Sequence, residues 1–412
     1  MAVFKPFQAY RPKPELAAEV ASKPYDVLSS EEAYQEAQGH PYSFLHVGKP
    51  EIDLPRDIDL YDERVYLKAK ENLDKLLKER VLVPDDGRYF YLYSLTMDGR
   101  TQDGLVGVAS VEDYWNDVIK KHEKTRKDKE EDRANHIRYT RSHSGPIFLT
   151  FRDEPNLLNI IKQIKANKPE DDFIAADGVR HQVWVVKDAT LISKIEEQFA
   201  KIPNLYVADG HHRSAAAAIV GREMKEANPN HLGDEEYNYF LAVAFPASHL
   251  RILDYNRVVK DLNGLNESQF LEKLRDNFTL EKSSSQVKPS HKGQFGMYLN
   301  HQWYKLDAKP EILDVPDPVE KLDVSILQKY VLSRILGIED PRTDKRIDFV
   351  GGIRGLGELE KRVNSGEMAV AFSMYPTSID ELLAIADAGK IMPPKSTWFE
   401  PKLRDGLFVH FF

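Results

Sequence analysis

The chain has 412 residues, of which 42% are hydrophobic, carries a formal net charge of −9 and contains no cysteine. This length suffices for two or three domains, and the lack of cysteine excludes disulfides, cysteine-ligated metals and thiol nucleophiles. The net negative charge argues against DNA as a partner, because DNA affinity depends largely on clustered Lys and Arg. No apolar stretch approaches the ~20 residues that span a bilayer. The N-terminus lacks a secretory signal, so we expect a cytoplasmic protein without a membrane partner.

The first quarter of the chain predicts two helices and a strand. Ser29 and Glu32 have capping-box spacing and predict a helix that runs to about Ala37. A short strand is predicted over 41–47, and apolar residues at helical spacing predict a second helix over 62–80.

A β-hairpin and a charged helix are predicted next. Alternating segments over 88–95 and 105–111 flank Asp98-Gly99, which is typical of a hairpin. A helix after Trp115 is predicted to carry the motif His122–Thr125. Within it, Glu123 lies between basic residues and is a candidate general base or metal ligand. The alternative is a solvated helix face, in which such a carboxylate occurs by chance.

The most informative segment is Val207–Ala216, where an apolar run ends in Asp209-Gly210 and passes at once into an alanine-rich helix. A helix N-terminus offers unpaired N–H groups and the positive end of a dipole, which together favour an anion such as phosphate. Gly210 permits close approach to the backbone, and Arg213 has a planar fork for phosphate. Ser214 is a further candidate for binding the nucleotide cofactor. The alternative is a turn in which Asp209 caps the helix and the histidines are solvated. Two adjacent histidines and an arginine are poor choices if only a cap is needed, since Ser or Asn would serve.

Chemistry can be assigned to the remaining polar groups of this segment. His211 and His212 can exchange a proton near neutral pH and are candidate catalytic residues, as is Asp209. Asp209 can also coordinate Mg²⁺ or orient a neighbouring side chain. A zinc site is not expected, because adjacent histidines at a helix start point apart and no third ligand follows at zinc spacing.

The C-terminal part predicts a mixture of hairpins and helices, and the fold class that follows is α+β with a mixed sheet. We place a domain boundary near residue 250, giving regions 1–250 and 251–412. The predicted elements after the alanine-rich helix are strands over 239–245 and 250–259, a hairpin over 295–306, a helix over 323–336, a strand over 369–374 and a helix over 377–388.

A second candidate segment is Met392–Phe399, in which two prolines stiffen the backbone ahead of a lysine and two hydroxyls. Lys395 can meet a phosphate as a point charge, and Ser396 or Thr397 can bond an oxygen or a metal-bound water. A purely structural loop is the alternative.

Four motifs carry a resemblance to known families. The turn Asp209–Arg213 resembles the phosphate-binding strand–turn–helix of the ParB/sulfiredoxin superfamily. Taken in order, Pro24–Val27, His122–Thr125, Asp209–Arg213 and Met392–Thr397 are similar to an uncharacterised prokaryotic family often labelled SpoOJ/ParA/ParB/RepB-like. The resemblance implies a ParB/sulfiredoxin-like core. The sulfiredoxin reaction itself is excluded, because it needs a cysteine in this turn.

The superfamily resemblance implies two types of activity, nucleotide-driven DNA clamping and phosphoryl transfer to free serine. The net acidity favours the second, so we expect a phosphotransferase that uses ATP or ADP with Mg²⁺ on a small hydroxylated metabolite, for which serine is a candidate. Gly210 and Arg213 would hold phosphate, Asp209 would position the metal, and Glu123 or a histidine would take the acceptor proton. The alternative is a non-catalytic nucleotide-binding regulator of the ParB-like type.

Overall fold

The computed structural model describes residues 1–412 and divides into two compact units. The first comprises Met1–Leu250 together with Pro401–Phe412, and the second comprises Arg251–Glu400. The second unit is therefore an insertion in the sequence of the first. The last twelve residues, which the sequence analysis assigned to the region 251–412, belong to the first unit.

A nine-stranded mixed sheet forms the centre of the first unit. Its order is β6-β11-β8-β12-β5-β4-β10-β9, with β1 added on β5. The pairs β6–β11 and β8–β12 are parallel, and the other pairs are antiparallel. The strands are β1 Phe4–Lys5, β4 Phe90–Met97, β5 Arg100–Ser110, β6 Ile119–Lys120, β8 Ile147–Phe151, β9 Asp171–Ile174, β10 Arg180–Val186, β11 Leu205–Asp209 and β12 Tyr239–Pro246.

The β4–β5 hairpin confirms the prediction from alternating aromatic residues. Asp98 and Gly99 both have positive φ, +51° and +75°. Positive φ at both central residues suits the right-handed twist of a two-residue hairpin, which explains the Asp-Gly pair at this position.

Nine helices surround this sheet, and two short strand pairs lie beside it. The capping box at Ser29 and Glu32 forms, and Asp62 caps the second predicted helix. The helices are α1 Ala17–Val20, α2 Ser30–Ala37, α3 Leu45–Gly48, α4 Glu63–Lys78, α5 Val111–Trp115, α6 Lys127–Thr140, α7 Pro155–Lys165, α8 Ala189–Phe199 and α9 His211–Ala227. The short pairs are β2 Tyr10–Pro12 with β3 Leu82–Pro84, and β7 Ser142–His143 with β21 His410–Phe411.

Two predicted elements are wrong. The segment 41–47 is not a strand but leads into α3, because Phe44 and Val47, three residues apart, both pack in the apolar cluster of α4. The motif His122–Thr125 is not helical. It forms the connection between β6, which pairs with β11, and α6, which begins only at Lys127.

The second unit contains a six-stranded antiparallel sheet in the order β15-β17-β16-β19-β14-β18 and a short pair β13–β20. The predicted hairpin and C-terminal helix are present, and the predicted helix over 323–336 continues from α12 as a wider π-helical turn over Gln328–Ser333. The elements are β13 Ile252–Leu253, β14 Tyr255–Val259, α10 Glu267–Leu274, β15 Phe278–Ser283, β16 Gln294–Leu299, β17 Gln302–Ala308, α11 Pro310–Leu313, α12 Asp323–Leu327, β18 Ile347–Gly351, α13 Leu356–Asn364, β19 Val370–Ser373, α14 Ile379–Asp387 and β20 Trp398–Phe399.

The observed architecture confirms a mixed sheet combined with many helices. The finer expectation of a ParB/sulfiredoxin-like core stays a prediction. None of the helices is both long enough and apolar enough to cross a membrane.

Candidate functional site

The Asp-Gly turn joins β11 to α9 as the sequence predicted. The strand ends at Asp209, Gly210 has a left-handed φ of +90°, and α9 begins at His211. The first intrahelical bond runs from the Ser214 N–H to the Gly210 carbonyl at 2.9 Å. Because glycine has no side chain, the N-cap residue offers no side-chain acceptor to the N–H groups of the first turn.

Close packing holds the start of α9 against the sheet. Ala215, Ala216, Ala217 and Ala218 are all buried in the main apolar cluster of the unit. Small side chains allow a helix to approach its neighbours closely, which explains the alanine run. The direction of the first helical turn is therefore fixed.

The Arg213 side chain extends from this first turn into the interior. It is 9% exposed, and its Nη1 donates to the Pro146 carbonyl at 2.9 Å. Its Nη2 lies 3.9 Å from Asp209 and 4.0 Å from Asp26, while its buried Nε has no partner. Leaving a buried donor unpaired costs about 1–3 kcal/mol, so this nitrogen is a natural contact for a ligand oxygen.

Asp209 is compensated by two cations. Lys402 Nζ donates to its Oδ2 at 3.1 Å, and this is the same oxygen that faces Arg213. Burial alone would raise the pKa of Asp209, but the positive charges of Lys402 and Arg213 hold it below its usual range. Asp209 is therefore a carboxylate throughout the neutral pH range, as a metal ligand or an orienting group requires.

The connection between β6 and α6 reaches the same turn. The rings of His122 and His211 meet edge to face with centroids 4.5 Å apart. The Arg126 N–H donates to His212 Nε2 at 3.2 Å. One oxygen of Glu123 and one nitrogen of each of His122 and His211 all lie within 4.8 Å of one another. The structure thus brings three predicted catalytic residues, Glu123, His211 and His212, to one place.

The histidines of this cluster are neutral. Burial lowers the pKa of His122 to about 4 and lowers that of His211 well below its usual value. Burial also lowers the pKa of His212. At neutral pH each imidazole therefore has one nitrogen lone pair, which is able to accept a proton or to bind a metal.

A polar cavity lies beside Arg213. Its walls include the cations Arg133 and Arg213, the carboxyl of Asp405, and the ring of Tyr25. Besides Arg213 Nε, three buried atoms of cavity-lining residues have no hydrogen-bond partner: Ser142 Oγ, His143 Nε2 and Asp405 Oδ1. Such a concentration of unsatisfied polar atoms is unusual in a protein interior and indicates a place for a polar ligand.

The walls of this cavity combine a carboxyl with a raised pKa and an arginine that stacks on a tyrosine ring. Burial raises the pKa of Asp405 to about 7 even though Arg213 is close to it. The guanidinium of Arg133 stacks over the Tyr25 ring, with 4.1 Å from its Cζ to the ring centroid. A cation on the ligand would favour ionised Asp405, and an anion would pair with the arginines.

The other four predicted nucleotide-binding residues are Ser214, Lys395, Ser396 and Thr397. The Ser214 hydroxyl is fully buried and donates to the His211 carbonyl at 3.0 Å, which is a contact within α9. Lys395, Ser396 and Thr397 belong to the second unit. There Arg257 donates to the Lys395 carbonyl at 3.0 Å, and the Ser396 hydroxyl donates to the Pro393 carbonyl at 2.6 Å. These contacts suit a structural loop, and the ligand roles of the four residues stay predictions.

A family model described as a protein of unknown function, DUF1015, matches residues 4–325. The chain belongs to the DUF1015 family. This confirms the expectation of an uncharacterised family. The significance of the four motifs, of which Met392–Thr397 lies outside the matched residues, and the wider ParB/sulfiredoxin superfamily stay predictions. None of the curated proteins matches the sequence.

Solved structures similar to this DUF1015 chain include three proteins. A conserved hypothetical protein from Pyrococcus furiosus is 14% identical, with a TM-score of 0.34 over 71% of this chain and 92% of that one. A free serine kinase in complex with AMP is 12% identical, with a TM-score of 0.35 over 71% and 89%. C-terminally truncated SbnI from Staphylococcus aureus is 12% identical, with a TM-score of 0.38 over 73% and 85%.

Several residues around this turn were not predicted from the sequence. Lys402 and Asp405 were not expected there, because their positions depend on the C-terminal segment returning to the first unit. Arg133 did carry a signal. It is spaced three and four residues from His136 and Ile137, which form a buried face of α6.

Replacing Gly210 by Ala should destabilise the protein by about 1–2 kcal/mol, because a side chain disfavours the left-handed conformation. The added Cβ would also lie 3.1 Å from Arg213 Nε, so nucleotide affinity should fall. Chemical denaturation and calorimetric titration with ADP measure the two effects.

Gly39→Ala is the matched control for this substitution. Gly39 has a φ of +79° with nothing within 4 Å of the added atom, so stability should fall while ADP affinity stays unchanged. If Gly210→Ala binds ADP as tightly as Gly39→Ala does, the turn at Gly210 does not take part in nucleotide binding.

Proposed function

We propose that this protein is a nucleotide-dependent phosphotransferase acting on a small hydroxylated metabolite, with free serine as the first candidate. The observation that carries the proposal is Arg213. This arginine is buried at the first turn of a helix whose N-cap is glycine, and its Nε has no partner. A helix N-terminus beside a guanidinium is suited to phosphate oxygens.

In this proposal the nucleotide phosphates lie against Gly210 and the N–H groups that follow it, and Arg213 donates to them. ATP or ADP would be the donor. Asp209 fits a role as Mg²⁺ ligand, because Mg²⁺ is commonly held by one or two carboxylates together with substrate phosphates. When bound, Mg²⁺ would neutralise charge on those phosphates. The Lys402 contact with Asp209 would then loosen, since the ammonium and the metal compete for one carboxylate.

In this proposal the acceptor binds in the cavity beside Arg213. Arginine pairs with carboxylates, so Arg133 and Arg213 suit the carboxylate of an amino acid, and Asp405 suits its ammonium group. The acceptor hydroxyl oxygen forms a bond to the terminal phosphorus as the bond from that phosphorus to the leaving phosphate oxygen breaks. The hydroxyl proton passes to Glu123 or to a histidine of the turn, His211 or His212.

The decisive experiment incubates the full chain with ATP or ADP, Mg²⁺ and serine, and follows phosphorylated product by ³¹P NMR. Product that forms only with acceptor supports the phosphotransferase. Nucleotide binding without turnover for any acceptor would instead establish the non-catalytic regulator, and an absence of nucleotide binding would overturn both.

The acceptor panel tests the cavity assignment directly. Serine should react faster than ethanolamine, which lacks the carboxylate, and faster than glycerate, which lacks the ammonium group. Asp405→Asn should reduce the preference for serine over glycerate, because it removes the partner of the ammonium group. If the preference is unchanged in Asp405→Asn, the acceptor binds elsewhere.

A further inference from the structure

The cluster of His122, Glu123 and His211 has properties that phosphate binding does not explain. His122 is 2% exposed and His211 is 5% exposed. No hydrogen bond of normal geometry reaches either ring nitrogen of His122 or the Nε2 of His211. The Val207 backbone lies near the His122 ring and favours its charged form, but this contact lacks the geometry of a hydrogen bond. Three unsatisfied nitrogens in one buried place would each cost about 1–3 kcal/mol.

The position of the two histidines follows from the sheet. β6 and β11 are parallel neighbours, so their carboxyl ends lie at the same edge. His122 follows the last residue of β6 by two positions, and His211 follows that of β11 by two positions. Parallel pairing thus places both imidazoles at one sheet edge, with Glu123 adjacent to His122 in the chain.

We propose that His122, Glu123 and His211 bind a divalent transition-metal ion of the zinc class. Two imidazoles and one carboxylate form a donor set typical of such ions, and three protein ligands leave a coordination position open. This site does not depend on the proposed phosphotransferase activity. It differs from the Mg²⁺ role of Asp209, since hard Mg²⁺ prefers oxygen donors.

The distances are compatible with one ion. Zinc lies about 2.0–2.2 Å from nitrogen and oxygen ligands, so two ligand atoms of a tetrahedral site are about 3.4 Å apart. The three ligand atoms are already within 4.8 Å of one another. The widest pair would therefore have to close by about 1.4 Å at most, through side-chain rotation. From the sequence no zinc site was expected, because adjacent His211 and His212 point apart and no third ligand follows at zinc spacing. His122 and Glu123 come from a segment distant in sequence.

The test uses the full chain, freed of metal by a chelator, and titrates Zn²⁺ alone against a chromophoric competitor without nucleotide. We expect one tight equivalent. His122→Gln and His211→Gln should each weaken it by at least about 100-fold, beyond the ~10–100-fold loss typical of an outer-shell partner. His136→Gln is the matched control, since His136 is a buried histidine of the same unit that donates to the Val47 carbonyl. That variant should keep the wild-type affinity.

Two further measurements keep the test decisive if a buried histidine variant folds poorly. Glu123→Gln changes a half-buried residue and should also lower Zn²⁺ affinity and reduce the rise in melting temperature on adding Zn²⁺. Co²⁺ substituted for Zn²⁺ should give the intense visible bands of a four- or five-coordinate site. Unchanged Zn²⁺ affinity in the ligand variants, or binding that His136→Gln weakens equally, would mean adventitious metal only and overturn the site.

Discussion

Replacing Arg213 by Met should weaken binding of ADP by about 1.5–3 kcal/mol, the range for hydrogen bonds to charged groups. This corresponds to about 10- to 150-fold in the dissociation constant. The reason is that Arg213 is the buried cation of the turn, and its unpartnered Nε gives it hydrogen-bonding capacity for a ligand. Isothermal titration calorimetry with ADP and Mg²⁺ gives the affinity directly.

The same substitution should also reduce stability. The acids near Arg213 are Asp26, Asp209 and Asp405, and its removal takes away a positive charge that compensates them. Arg213→Lys keeps the charge and should recover most of the stability. It should recover less of the affinity, because lysine lacks the planar fork.

Arg11→Met controls for the loss of a buried arginine. Arg11 is an equally buried cation of the first unit, but its partners are Asp85 and Asp171. Its removal should lower the free energy of unfolding while leaving ADP affinity as in the wild type. A wild-type affinity in Arg213→Met as well would remove Arg213 from the nucleotide site.

The second large effect is a loss of stability as the pH falls from about 6.5 to 4. Burial, with a smaller contribution from Arg133, lowers the pKa of His136 to about 4. Below pH 6.5 the unfolded chain takes up a proton at this histidine that the folded protein does not, so unfolding is favoured. Burial also lowers the pKa of His181 to about 3, and Arg404 beside it acts in the same direction. Both histidines therefore reduce the stability of the folded protein as the pH falls.

Buried carboxyl groups oppose this trend. Burial raises the pKa of Asp405 to about 7, so the folded protein holds a proton there that the unfolded chain has lost. This contribution is present below about pH 4 and disappears as the pH rises through 7. The carboxyl of Asp323 behaves in the same way, because burial raises its pKa to about 7. More buried histidines than buried acids have strongly shifted pKa values, so acidification should destabilise the folded protein overall.

Two variants separate the contributions. With a pKa of about 4 in the folded protein against 6.5 for the ordinary value, His136 should account for about 2 kcal/mol of stability lost between pH 8 and pH 5. His136→Gln should therefore flatten the pH dependence by that amount, and Asp405→Asn should steepen it. Urea denaturation followed by circular dichroism at the two pH values measures this. Parallel curves for wild type and His136→Gln would show that His136 does not titrate abnormally.

The sequence was sufficient for features encoded within a few consecutive residues. The hairpin followed from alternating residues around Asp98-Gly99, and the capping box of α2 followed from Ser29 and Glu32. The same holds for the turn at Gly210, where an apolar run, a glycine and an alanine series each determine their own local conformation. Local rules were not sufficient at 41–47, where packing against α4 made the chain helical.

By itself, then, the sequence determined the strand–turn–helix with its histidines and arginine, the mixed α and β character, and the family. Only the tertiary structure decided which distant groups meet that turn: His122 from the end of a parallel strand, and Lys402 and Asp405 from the C-terminal segment. The physical reason is that hydrogen-bonding and φ/ψ preferences act between near neighbours in sequence. Contacts between residues that are distant in sequence depend on strand register and on burial across the whole chain. No short sequence pattern specifies either of these.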